Sequence, residues 1–171
     1  MKALVVYESM FGNTEQVARA ISEGLAEKFD VTLADVTTMP HALGADLLVI
    51  GGPTHAFGMS RPSTRESAGQ QGGVRPHALD LGIREYLDLL PQLPGMPAAA
   101  FDTKIDKPFL PGSAARRAQR QLRRLGCRIV LPAQSFLVRD TAGPLEVREE
   151  KNAERWGAAL AAAVTTAQHT V

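Results

Sequence analysis

The residues best suited to chemistry lie at the end of the first apolar run, in Tyr7-Glu8-Ser9-Met10-Phe11-Gly12-Asn13-Thr14. An apolar run with strand character gives way there to small and hydroxyl-bearing residues, and a helical pattern follows at once. A helix N-terminus leaves backbone N–H groups without intrahelical acceptors and carries a partial positive charge, so it can hold a phosphate. Ser9 and Thr14 add hydroxyl donors, Asn13 adds an amide, and Gly12 lets the backbone approach a ligand closely. The loop has no lysine, unlike the phosphate loop of nucleoside triphosphatases, and the dinucleotide spacing Gly-x-Gly-x-x-Gly is missing too. Neutral donors alone suit a phosphate monoester held beside a ring whose charge changes. The plainer alternative makes Ser9 and Thr14 ordinary caps of the following helix.

Two further loops follow apolar runs. One is Gly51-Gly52-Pro53-Thr54-His55-Ala56-Phe57-Gly58, and the other is Phe101-Asp102-Thr103-Lys104. In an open α/β sheet, ligands sit at the carboxyl ends of strands, where the strand order reverses. If the order is 2-1-3-4-5, that reversal lies between the first and third strands, and their loops face each other across one crevice.

The elements that must position these loops alternate along the chain. Strands are expected at Ala3 to Tyr7, Val31 to Val36, Leu47 to Ile50, Ala98 to Phe101 and Arg128 to Val138, the last bent near Pro132. The continuous apolar run Leu47-Leu48-Val49-Ile50 fits a central strand buried on both sides. Helices are expected from about Thr14 to Lys28, Asp80 to Leu90 and Ser113 to Leu125, with a last one beginning near Leu145. Gly126 marks the stop of the third of these. This alternation predicts an α/β fold, a doubly wound three-layer sandwich around a five-stranded parallel sheet. One domain spans residues 1–171, with no repeat and no linker. Met59 to Leu79 breaks the pattern with two prolines and the run Gln70 to Gly73, and loops this long are often functional. Within it, Ser63-Thr64-Arg65-Glu66 has the spacing to cap a short helix.

The first loop resembles the flavodoxin signature: an aromatic strand end, Ser or Thr, two free positions, Gly, one free position and Thr. Tyr7, Ser9, Gly12 and Thr14 fill those places, with Ala18 and Ile21 following at helical spacing. Phe11 stands where many flavodoxins carry a second hydroxyl, and the variant resembles the flavin domains of flavodiiron proteins. The resemblance implies a flavodoxin-like sheet of order 2-1-3-4-5 and one non-covalent flavin mononucleotide (FMN). It implies that Ser9, Met10, Phe11, Gly12, Asn13 and Thr14 surround the phosphate. It also implies that Pro53, Thr54 and His55 line the ribityl chain and inner ring face, that Phe57 or His55 stacks, and that the Gly58 backbone meets the flavin N5. Phe101, Asp102, Thr103 and Lys104 then grip the pyrimidine end through backbone N–H groups. The tyrosine and tryptophan that usually cover the ring are missing, so covering falls to Phe57, His55, Phe109 or a partner. Negative surroundings disfavour the anionic reduced flavin, whereas Lys104, or a protonated His55, favours it. A less negative potential and a weakly stabilised one-electron state are expected.

Bulk features narrow the class. The 171 residues carry 19 Lys and Arg against 18 Asp and Glu, a balance that speaks against a dedicated nucleic-acid binder. No apolar run reaches the roughly 20 residues of a membrane span. The opening run ends too quickly at Glu8 and Ser9 to be a signal peptide, and the single Cys127 excludes an internal disulfide, so a cytoplasmic setting is expected. His41, His77 and His169 have no partners at metal-ligand spacing. Asp46 precedes its strand, against a phosphoacceptor receiver, and the Gly-x-Ser-x-Gly elbow of hydrolases is missing. The arginines from Arg116 to Arg124 fit a solvated helix face, or a docking patch for an acidic redox partner. Three functions are open. The first is an electron carrier between a reductase and an acceptor, and the second an FMN-dependent NAD(P)H or quinone reductase. The third is a module that has kept the fold and lost FMN.

Overall fold

A computed structural model describes residues 1–55, 57–74, 77–108 and 110–168, the side chain of Gln168 excepted. Phe109 and His169 lie outside the described residues. In chain order the elements are β1 (Lys2–Tyr7), α1 (Asn13–Leu25), β2 (Asp30–Asp35), β3 (Leu47–His55), β4 (Gly58–Met59) and α2 (Pro62–Gln70). They continue as α3 (Ile83–Leu89), β5 (Pro97–Ile105), α4 (Ala114–Arg124), β6 (Arg128–Ile129), β7 (Gln134–Val138) and α5 (Glu149–Gln168).

The parallel sheet runs β2-β1-β3-β5-β6, and β7 also pairs with β5. This is the expected 2-1-3-4-5 order with its last strand divided. The division falls at Pro132, which has no N–H to donate to a ladder. In the gap the Ala133 N–H is instead satisfied by the Gln119 side chain of α4 at 2.8 Å.

Alternation along the central strands separates two cores. Leu4, Val6, Leu48, Ile50, Ala98 and Ala100 face α3 and α4, where they meet Ile83, Leu87, Ala118 and Leu122. Val5, Leu47, Val49, Ala99 and Phe101 face α1 and α5, against Val17, Ile21, Leu160 and Val164. On that second side α1 and α5 cross closely. A Cβ on Gly24 would lie 2.0 Å from the Glu154 carbonyl oxygen, and one on Gly157 would lie 2.2 Å from that of Ile21. Phe101, Phe136 and Trp156 meet edge to face there, with centroids 6.1 to 6.3 Å apart.

Several boundaries differ from expectation; β5 runs on from Phe101 to Ile105 and α1 stops at Leu25 instead of Lys28. The third strand does not stop at Ile50 but continues through Gly51-Gly52-Pro53-Thr54-His55, paired to Phe101, Asp102 and Thr103 of β5. Pro53 is tolerated because β1 ends opposite Gly51, so no neighbour on that edge needs its missing N–H. The chain then returns as β4, which pairs antiparallel with Thr54 and His55. The Asp80–Leu90 helix is the shorter α3, because Gly82 serves as its N-cap and receives the Glu85 carboxylate on its N–H at 3.2 Å. The last helix begins at Glu149, not near Leu145. Leu145 forms an antiparallel bridge to Val138, and the Glu149 carboxylate accepts the Leu137 N–H at 2.6 Å.

Candidate functional site

A cleft of about 420 Å³ opens at the carboxyl ends of β1, β3 and β5, within the ~300–1,000 Å³ of small-ligand pockets. Its floor is the loop after β1. Gly12 is the N-cap of α1 and takes φ 102, a left-handed conformation that glycine adopts without steric cost. The Gly12 N–H donates to Ser9 Oγ at 3.0 Å, and the Gln16 N–H closes the first helical turn on the Gly12 carbonyl at 3.1 Å. Ser9, Met10, Phe11, Asn13 and Thr14 all line the cleft. Asn13 is backed by Gly143, where a Cβ would come within 2.5 Å of its side-chain oxygen.

Across from this loop, Pro53, Thr54 and His55 line the wall from β3, and Thr103, Lys104 and Ile105 line it from β5. The hydroxyls of Thr14 and Thr103 meet at 2.7 Å, tying the helix start to β5. His55 places Nδ1 3.3 Å from Thr64 Oγ1. Burial, reinforced by the nearby Arg65 guanidinium, pushes the His55 imidazole down to about 4. His55 is therefore neutral at pH 7, which corrects the expectation that its protonated form supplies positive charge; among the described residues lining the cleft, Lys104 is the one lysine or arginine.

Five expected residues are not among those lining the cleft: Gly12, which caps α1 beneath it, and Phe57, Gly58, Phe101 and Asp102, which strand parity and turn position place elsewhere. Phe101 points with Ala99 into the α1/α5 core and is fully buried there. Asp102 points the other way and is fully buried under the start of α4. Its Oδ2 accepts the Ser113 hydroxyl at 2.6 Å, the Ala115 N–H at 3.0 Å and the Thr54 hydroxyl at 3.0 Å. Phe57 sits in the β3–β4 turn at φ 76 and is 53% exposed, so no described cleft wall includes its ring. Gly58 packs beneath Arg117, whose Nε would lie 2.6 Å from a Cβ there.

Sequence reasoning missed one wall. Thr64, Ser67, Ala68 and Gln71 of α2 and its last turn face the cleft, together with Val138 and Thr141. Positions 64, 67, 68 and 71 follow the i, i+3, i+4, i+7 spacing of a single helical face. Because the face is small and polar, apolar periodicity did not reveal it. The helix start was visible, although Arg61 is the cap: its N–H donates to Thr64 Oγ1 at 2.8 Å.

Behind that wall, a buried polar network anchors α2. Arg65 is 1% exposed and donates to Ser60 Oγ at 2.8 Å, to Glu85 at 2.5 Å and to the Leu79 carbonyl at 3.3 Å. Glu8, the residue before Ser9, is 2% exposed; it accepts the Ser60 hydroxyl and, at 2.9 Å, the Ile83 N–H. Burial raises the Glu8 carboxyl above its ordinary 4.5, against the pull of Ser60, Ile83 and Arg65. Glu85 is held below 4.5, because the hydrogen bond and charge of Arg65 outweigh its partial burial. The loop after β1 is thus bolted to β4, α2 and α3.

The donor set fits FMN. A monoester phosphate needs several neutral donors at a helix start, and the Ser9–Thr14 loop supplies them. Phe11, Met10 and the neutral His55 add apolar and aromatic surface for a flat ring. Among the described residues, no helix is long and apolar enough to cross a membrane and no cluster of ligating side chains could hold a metal ion.

The comparisons with known proteins agree with the fold. A search of curated proteins by sequence returned no match. Among solved structures, a flavodoxin from the domain Archaea is similar, with TM-score 0.68, 23% identity and coverage of 96% of this chain and 99% of that one. Flavodoxin 2 from Bacillus cereus gives TM-score 0.69 at 21% identity, over 95% of this chain and 99% of its own. A flavodiiron core from Synechocystis gives TM-score 0.65 at 18% identity, over 98% of this chain but 36% of that one. These likenesses concern the fold. The family model described as Flavodoxin matches residues 5–156, nearly the whole sheet and its helices, and on that match the chain belongs to the flavodoxin family, whose members bind FMN.

Proposed function

We propose that this protein holds one FMN in the cleft and carries electrons between a reductase and an acceptor. One observation carries the reading: the lysine-free Ser9–Thr14 loop, the Thr54–His55 end of β3 and the Thr103–Lys104 end of β5 converge on a single cleft. Bound there, FMN supplies one- and two-electron redox chemistry. Ser9, Asn13, Thr14 and the first-turn N–H groups of α1 would hold the phosphate, acting through fixed dipoles that need no counter-charge. Thr54 and Thr103 would orient the chain linking phosphate to ring, both being already fixed by hydrogen bonds to Asp102 and Thr14. Phe11, Met10 and Ala68 would exclude water from one side of the ring, a packing supported by their shared apolar cluster with Ala78. His55, neutral and bonded to Thr64, would present a ring nitrogen without adding charge. Lys104 would place its positive charge near the redox group, favouring the anionic reduced form and a less negative potential.

The test is a visible spectrum of the purified protein titrated with FMN, followed by stepwise reduction. The reading expects saturable one-to-one uptake with a flavin spectrum, and reduction by an electron-carrier protein. Absence of uptake ends the FMN reading. Rapid reduction on mixing with NAD(P)H alone transfers the protein to the reductase class instead.

A further inference from the structure

Charge is segregated along this chain. From Lys107 to Val138 there are seven Lys and Arg and no Asp or Glu, whereas the other residues hold 12 Lys and Arg against 18 Asp and Glu. The overall +1 therefore combines a segment of +7 with a remainder of −6. Helix α4 gathers Arg116, Arg117, Arg120, Arg123 and Arg124 on its exposed side, while Ala115, Ala118 and Leu122 pack into the core. Exposed Arg128 continues the strip. Among the described residues none of these arginines pairs with a carboxylate.

Helix stability does not explain this arrangement. Arg116 and Arg117 occupy the first turn of α4, where a positive charge opposes the helix dipole. The acid favoured at that end is supplied from β5 by Asp102. A surface helix stabilised by its own charges would also alternate their sign, which this one does not.

The strip starts at the cleft. The Ala114 N–H, at the head of α4, donates to Thr54 Oγ1 at 3.0 Å, and Thr54 lines the cleft. Exposed Phe57 and Leu110 lie beside that end, with the Phe57 backbone packed against Gly112 so tightly that a Cβ would come within 1.9 Å of it. Arginine beside apolar anchors is the composition of a protein interface. An extended polyanion would fit poorly, because the strip is only the ~16 Å of an 11-residue helix long and the residues outside Lys107–Val138 carry a net −6. A compact acidic partner touches the strip alone.

We propose that the exposed face of α4, from the Phe57 turn to Arg128, docks the acidic face of a redox-partner protein and brings that partner's redox centre beside the cleft. The proposal rests on the electron-carrier reading. Complementary charge speeds encounter by roughly 10- to 1,000-fold at low salt, and screening removes the gain.

The test uses a plant-type [2Fe–2S] ferredoxin as acidic probe and cytochrome c as basic probe. Calorimetric Kd values are measured for the chain with and without FMN at about 20 and about 300 mM NaCl, roughly one and several screening regimes apart. Ferredoxin is expected to bind at least about tenfold more weakly to R116Q/R120Q/R123Q at low salt, with the difference gone at high salt. Stopped-flow electron transfer from reduced ferredoxin should slow in parallel. Gln keeps helix propensity, and an unchanged thermal midpoint verifies the fold of the variant. A Kd unaffected by the triple substitution overturns the docking surface. So does tighter binding of cytochrome c, or of a short DNA duplex, than of ferredoxin at the same salt. So does self-association at low salt that the variant abolishes, since the occupant is then a second copy. Failure to take up FMN sinks the carrier reading alone, because the Kd of the FMN-free chain still reports on α4.

Discussion

Replacing Arg65 with Met tests whether the buried network holds up the α2 wall. Arg65 is 1% exposed, and four hydrogen bonds tie it to Ser60, to both oxygens of Glu85 and to the Leu79 carbonyl. Met fills similar volume but donates nothing, so buried Ser60 loses a donor, and Glu85, whose side chain is 28% exposed, keeps the Gly82 N–H and water. Breaking a fully buried charge pair from one side costs about 3–5 kcal/mol; with Glu85 partly exposed the loss should lie near the lower figure, still a large share of the ~5–15 kcal/mol that holds a domain folded. At about 2–4 °C per kcal/mol for a chain of this size, the thermal midpoint should fall by about 10 °C. The loss should depend on pH with a definite sign. The folded value of Glu85 lies below 4.5, so the stabilisation it brings is complete above 4.5 and fades as pH falls through the folded value. The folded value of Glu8 lies above 4.5, so its ionisation costs stability as pH rises, and losing the guanidinium raises it further. Both effects make R65M fall further behind the wild type as pH rises. R65M/E85M should recover part of the loss, because no unpaired Glu85 carboxylate is then left beside Glu8. Urea unfolding at acid and neutral pH, for both variants, reads all of this. A loss under about 1 kcal/mol for R65M, or a gap that narrows with rising pH, would refute the reasoning.

Other perturbations separate site from scaffold. G12A forces a Cβ onto φ 102 and should cost about 1–2 kcal/mol while weakening FMN binding; quenching of flavin fluorescence measures the second effect. F101A empties a fully buried ring site and should cost about 3–5 kcal/mol, yet the molecules that remain folded should bind FMN nearly as before, as a titration well below the midpoint would show. H55Q tests the depressed imidazole. With the unfolded value at 6.5 and the folded one at about 4, the unfolded chain binds the extra proton, so wild-type stability should drop between those pH values. In H55Q that acid-side drop should shrink, which unfolding curves across the interval would register.

The sequence by itself determined the order of elements, the parallel sheet and the character of the first loop. It could do so because those properties are local. Apolar runs of strand length, helical spacing at Val17 and Ile21, and a glycine beside Ser9 and Thr14 each report their own neighbourhood. Which side chains share the cleft was decided only by the tertiary structure. Phe101, Asp102 and Thr103 are consecutive, yet pleating sends them to three places: the α1/α5 core, the start of α4 and the Thr14 hydroxyl. The continuation of β3 to His55 depended on β1 stopping opposite Gly51, a fact about a neighbouring strand. The α2 wall, the buried Arg65 and the neutral His55 were equally hidden, since burial and contacts between separate elements create them, Glu85 of α3 for Arg65 and Arg65 of α2 for His55. Local pattern selects the element; only packing selects what each side chain touches, and in this protein the chemistry of the cleft follows from touch.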